Sequence, residues 1–212
     1  MSTERLWMDS TESCYQKTFE AEVTAVSSDS IQLNRTCFYP IGGGQPWDLG
    51  YLSGNNKKIP VIEVRGRDNI DHYVSKNHGF EIGDTVFGEL DWDRRHTHMR
   101  MHTTQHLISA LAYDMFGGLK TVGNQISFSK SRIDFNPASF SKPMLDSLKK
   151  ETNNLISSNL PVKATIMNRE EINDILPKDR TNMDLIPSFI DELRVIIIGD
   201  NIDICPCAGT HI

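Results

Sequence analysis

Across the first ninety residues, apolar and polar positions alternate in short runs that stop at Gly, Asn, Asp and Ser. "FEAEVTAV" (Phe19 to Val26) alternates over part of its length, and "SIQL" follows a Ser/Asp turn. "YLSG", "IPVIEVRG", "DHYVS" and "DTVFGELDW" come after it. Period-two runs with close turns predict antiparallel strands. With no helical period before residue 91, so many short strands predict a small barrel or sandwich. The spacing then changes. From Asp93 to Phe116 the residues Met99, His102, His106, Leu107, Ala110, Leu111 and Met115 recur near the helical period, and Gly117-Gly118 ends the run. "KTVGNQISFS" and "SRIDFN" predict two further strands. Ser141, with Pro143 in the first turn, predicts the start of a helix carrying Leu145, Leu148, Leu155 and Ile156. "VKATIMN" reads as a strand, "REEINDIL" as a short helix and "LRVIIIG" as a buried strand. The expected organisation is α+β in two domains, a small β-barrel over residues 1–90 and an α+β domain over 91–212.

Composition narrows the classes without changing that picture. The chain has 212 residues, 38% hydrophobic and 24% charged, which describes an ordinary globular protein. Its densest apolar stretch, Val195 to Ile198, falls far short of the roughly 18 residues of a membrane span. "MSTERLWMDSTES" has neither a basic start nor an apolar core, so a secretory signal is not expected and a cytoplasmic location is. Four cysteines, Cys14, Cys37, Cys205 and Cys207, do not form a disulfide framework in such a chain. The net charge of −6 excludes a nonspecific coat for DNA but permits a local basic patch. "DRRHTHMR" supplies one, with Arg94, Arg95 and Arg100 as candidate phosphate contacts; Lys149 and Lys150 read as a solvated face.

The candidate chemistry begins with "RMHTTQHLIS", in which His102 and His106 stand four apart and share one helical face. The pair alone is compatible with an ordinary amphipathic helix. Thr103, Thr104 and Gln105 fill the gap, so the glutamate of a zincin-type protease is missing. The final eight residues, "CPCAGTHI", place Cys207 and His211 again four apart. Two histidines with a Cys/His pair are a borderline-soft nitrogen and sulfur set suited to zinc. Cys205 competes with Cys207 but has no histidine at the same spacing. The third signal is "FYPIGGGQPWDLGYL", where Gly42, Gly43 and Gly44 permit positive φ and close backbone approach. No Gly-Lys-Ser/Thr follows, which excludes a P-loop. Gly43, Gly44 and Gln45 also echo the loop of peptide-release factors, which leaves a peptidyl-tRNA hydrolase as a rival reading.

Taken together, "FYPIGGGQP", "DRRHTHMRMHTTQHL", "GNQISFSKSRIDF" and "LRVIIIGDNIDICPCAGTH" resemble the free-standing alanyl-tRNA editing proteins. These are related to the editing region of alanyl-tRNA synthetase and to the second additional domain of threonyl-tRNA synthetase. The resemblance covers nearly the whole chain. It implies a translation-factor-like N-terminal barrel and an editing domain whose zinc ligands are His102, His106, Cys207 and His211. It implies a partner, tRNA(Ala) mischarged with serine and sometimes glycine, which is deacylated with Gly42 to Gln45 helping to recognise the substrate. The synthetase catalytic domain is not expected, so the chain should edit without charging. Thr103, Thr104, Gln105 and Gln125 are the candidates for contact with the reacting substrate. A catalytic zinc keeps three protein ligands, so His102, His106 and Cys207 are expected to hold it firmly and His211, near a terminus, conditionally. Where relatives usually carry a second glycine this chain has Ala208, a mild change unless that position needs positive φ. A monomer is expected. The alternative function is a non-catalytic, zinc-stabilised tRNA-binding module.

Overall fold

The computed structural model describes residues 2–136, 139–176, 180, 183 and 186–212. Its first half contains β1 (Glu4–Arg5), β2 (Thr18–Val26), β3 (Ser30–Leu33), β4 (Arg35–Thr36), β5 (Gly50–Gly54), β6 (Lys57–Val61), β7 (Glu63–Gly66), β8 (Ile70–Tyr73) and β9 (Thr85–Leu90). The second half runs α1 (Trp92–Met115), β10 (Lys120–Gln125), β11 (Arg132–Asn136), α2 (Lys142–Ser157), β12 (Val162–Asn168), α3 (Arg169–Ile175), β13 (Glu192–Ile198) and β14 (Asp203–Pro206). β2 follows its sequence pattern: Phe19, Ala21 and Val23 are buried while the residues between them face water.

Seven strands form one antiparallel sheet in the order β6-β5-β9-β2-β3-β8-β7. This sheet is open, and the barrel expected over residues 1–90 is not formed. The cause lies in "IPVIEVRG", which divides at Ile62 into the two edge strands β6 and β7. One intervening residue leaves no room for the two-residue turn that a hairpin pair needs. Pro60 in β6 lacks an N–H and suits an edge. The sheet buries Val23, Ile31, Leu33, Phe38, Leu52, Val64 and Ile70 in one apolar core that also takes Met99 from α1.

α1 is the element that positions the site. Asp91 caps it, its carboxylate accepting from Arg94 N at 3.2 Å. Gly117 and Gly118, at φ 70° and 85°, end it. Its buried face carries Arg95, His98, His102 and His106 as well as Met99, Leu107 and Ala110. A helix that turns so many polar groups inward gains less from burial than an apolar one, and each group needs a partner. Beside α1 lie the β10–β11 hairpin and the three-stranded sheet β12-β13-β14. β13 is buried along most of its length and packs Ile196 and Ile198 with Leu107 of α1.

Arg95 ties α1 to the glycine-rich loop. Its side chain and that of Asp48 are both fully buried. Arg95 Nε donates to Asp48 Oδ1 and Oδ2 at 3.1 and 3.0 Å, and its other nitrogens reach Cys14 O and Cys37 O. Asp48 in turn accepts from Tyr39 N at 2.7 Å, which closes the base of the loop. Arg95 is therefore an internal strut and does not reach phosphate, contrary to the sequence expectation. Asp48→Ala should strand a buried guanidinium and destabilise the chain by about 3–5 kcal/mol. Urea unfolding measures this, and a loss below about 1 kcal/mol, the worth of a surface pair, would contradict it.

Candidate metal centre and the cavity beside it

The four residues singled out by spacing come together. The ligand-bearing atoms of His102, His106, Cys207 and His211 all lie within 4.8 Å of one another. Cys207 Sγ is 3.6 Å from His102 Nε2 and 3.4 Å from His211 Nε2. His211, expected to be the loosest, is fully buried, as is Thr210, and Ile212 N donates to Thr103 Oγ1 at 3.3 Å.

The opposite nitrogen of each imidazole meets an oxygen. His102 Nδ1 lies 2.9 Å from Gln45 Oε1, His106 Nδ1 2.7 Å from Asp203 Oδ2, and His211 Nδ1 3.1 Å from Thr103 Oγ1. Gln45 Oε1 also accepts from Thr210 N at 3.1 Å, which fixes its amide orientation. His102 must therefore donate from Nδ1, and His106 does so toward the Asp203 carboxylate. Each ring thus keeps a proton at Nδ1 and turns Nε2 toward the cluster, the outer support that metal-ligating histidines use. Arg180 holds the other Asp203 oxygen at 2.7 Å.

The electrostatics agree. Burial alone would raise the Cys207 thiol, but His102 and His211 beside it lower it well below its ordinary value, and Gly209 N donates to its sulfur at 3.3 Å. Burial would lower His106, yet its bonds to Asp203 and Cys207 raise it to about 10. Burial, with His102 adding to it, pushes His211 down to about 3. A thiolate among imidazoles is a set built for a cation.

Arg194, on β13, brings the tail to α1. Its Nη1 donates to Cys207 O at 2.8 Å and Gly209 O at 2.9 Å, and its Nε to Met8 O at 3.0 Å. Trp7 Nε1 holds Ala208 O at 3.1 Å. Ala208 is exposed and is not among the positive-φ residues, so its methyl is accommodated. Gly209 is the constrained position: a Cβ there would stand 2.2 Å from His102 Cε1 and 2.5 Å from its Nδ1.

The other expected residues divide. Thr103 supports His211. Gln105 is buried, donating to Ser109 Oγ at 3.3 Å and accepting from Asn124 Nδ2 at 2.9 Å. Gln45 is 1% exposed and its amide is committed to His102 and Thr210, which removes the release-factor reading. Gly42, Gly44, Gln45, Arg94 and Gln125 border a cleft on one side of the loop. Gly43, Gln105 and His106 border a second cavity of about 410 Å³ with Ser109, Thr121 and Asp203. Thr104 is half-buried and Arg100 exposed. Cys205 lies on β14 and borders the second cavity rather than joining the cluster. Sequence reasoning missed Asp203 and Arg194, whose partners are remote in the chain, and His98, which is buried on α1.

An open antiparallel sheet, a polar-faced helix and a returning tail with a His/Cys cluster define an α+β protein with a candidate metal centre. A family model described as "tRNA synthetases class II (A)" matches residues 8–94. The alanyl-tRNA editing protein AlaX-M of Methanosarcina barkeri is 36% identical over 206 residues, 94% of this chain and 84% of that protein. AlaX-M of Saccharolobus solfataricus is 37% identical over 172 residues, 80% and 70% of the two chains. An alanine–tRNA ligase of Methanococcus aeolicus is 30% identical over 199 residues, which cover 93% of this chain but 21% of the ligase. The chain belongs to the alanyl-tRNA editing protein family. No helix among the described residues is long and apolar enough to cross a membrane.

Gly209→Ala should expel a metal from the cluster by displacing His102, whereas Ala208→Gly should leave metal content unchanged. Elemental analysis of the purified variants measures both. Full metal occupancy in Gly209→Ala would overturn the geometry assigned to His102.

Proposed function

We propose that this chain is a zinc-dependent deacylase that hydrolyses mischarged tRNA(Ala), chiefly the serine ester and also the glycine ester. The observation that carries the reading is the cluster of three supported imidazoles and a thiolate, whose His106 forms part of a 410 Å³ cavity. Zinc bound by His102, His106, Cys207 and His211 would supply a Lewis acid for an ester carbonyl and for water. The chain's own residues do the rest. Gln45 and Asp203 hold protons at His102 Nδ1 and His106 Nδ1, keeping each ring in one tautomer and one orientation.

Selectivity fits the lining of the cavity. Ser109 Oγ accepts from Gln105 Nε2 at 3.3 Å and from Thr121 Oγ1 at 2.8 Å, so its own proton remains for an acceptor such as a substrate hydroxyl. An alanyl ester would leave such a group unpaired. That costs about 1–3 kcal/mol, or roughly 5- to 150-fold in discrimination. Thr103 and Gln105 thus act through His211 and Ser109, while Arg94 and Arg100 remain the phosphate candidates.

Deacylation of Ser-, Gly- and Ala-tRNA(Ala), with and without a chelator, tests the proposal. Hydrolysis of the serine ester, sparing of the alanine ester and loss of activity on chelation are expected. Equal rates on all three would remove proofreading, and tRNA binding without hydrolysis would favour the non-catalytic module.

A further inference from the structure

We propose that the cleft between the glycine-rich loop and the tip of the β10–β11 hairpin binds the 3′-terminal nucleotide of the tRNA, an assignment that rests on the editing reading above. The cleft encloses about 430 Å³. Gly44 and Gln45 come from the loop, Gln125 and Phe128 from the hairpin, and Arg94 and His98 from α1.

His98 carries the inference. Its side chain has no exposed surface, and neither Nδ1 nor Nε2 has a hydrogen-bond partner. Among the described residues, the only other buried side-chain polar atom in that condition is Arg169 Nε. Native proteins pair their buried polar groups, so an imidazole unpaired at both nitrogens points to a ligand. Burial, with Arg94 adding to it, lowers His98 to about 4, so at neutral pH it offers one N–H donor and one lone pair. A bare anion needs donors alone. The edge of a nucleobase carries both a donor and an acceptor.

The surroundings match the rest of a nucleotide. Phe128 is 55% exposed and Ile41 53% exposed at this cleft, large apolar surfaces against which a base can stack. Arg94 brings a guanidinium for a phosphate. Gln45 lines the cleft while its amide oxygen touches His102 Nδ1, so one side chain separates the cleft from the metal cluster. In an aminoacyl-tRNA the reacting ester is carried on the ribose of the last nucleotide. Its base must therefore lie close to the reacting carbonyl, and Gln45 sets this cleft beside a histidine of the cluster.

The test compares uncharged tRNA(Ala) with the same tRNA lacking its terminal adenosine. Binding is measured by fluorescence anisotropy for the wild-type chain, His98→Leu and Phe128→Ala. Removing the adenosine should weaken wild-type binding by about tenfold, the scale of one stacked base. Both variants should bind intact tRNA as weakly as the shortened one, with metal content unchanged. Phe128 lies at an exposed position, so that variant decides the matter even if His98→Leu fails to fold. Retention of the wild-type preference in Phe128→Ala or in folded His98→Leu would overturn the assignment. So would AMP that binds without competing with the tRNA. Wild-type protein that deacylates Ser-tRNA(Ala) yet fails here keeps the editing reading and loses only the cleft. Protein that deacylates nothing loses both.

Discussion

The return of residues 207–211 onto α1 is the constraint on which the site depends. Cys207 and His102 are 105 positions apart, and no local preference brings them together. Polar contacts hold them. Arg194 grips the carbonyls of Cys207 and Gly209, Trp7 grips that of Ala208, and Gln45 bonds both His102 and Thr210. Each contact lies in a buried or part-buried setting, where an unmade hydrogen bond is costly. The tail therefore has few alternative seats.

The glycine-rich loop belongs to the same arrangement. Arg95 and Asp48 anchor its base, Gln45 reaches from it to His102, and Gly44 packs so closely that a Cβ would stand 1.5 Å from Asn124 Oδ1. A residue larger than glycine would push the loop off the β10–β11 hairpin. Residues of this loop line both cavities, one reaching His106 and the other His98. A loop that forms the wall of both and also orients a ligand of the cluster links substrate recognition to the chemistry through a single side chain.

Features with local causes were legible in the sequence. The i, i+4 histidines, the strand "VKATIMN" and the helix opened by Ser141 follow from periodicity and capping, and the structure places them at Val162–Asn168 and Lys142–Ser157. The Cys207/His211 spacing was visible too. Closure of the first sheet was not, because the number of short strands does not say whether the edges meet. That depended on a break at one residue, Ile62. Arg95 looked like a phosphate contact because charge is read from sequence without burial. Asp203 and Arg194 carry no motif; their roles come from partners far along the chain. Gln45 was conspicuous as part of a glycine-rich motif, but its task as the support of His102 required the fold.

The central claim is that one ion is shared by the helix and the tail. X-ray absorption at the zinc edge of the metal-loaded chain tests it most directly. The expected result is one sulfur neighbour together with imidazole nitrogens. A spectrum with nitrogen and oxygen neighbours but no sulfur would contradict it, because Cys207 would then stand outside the site.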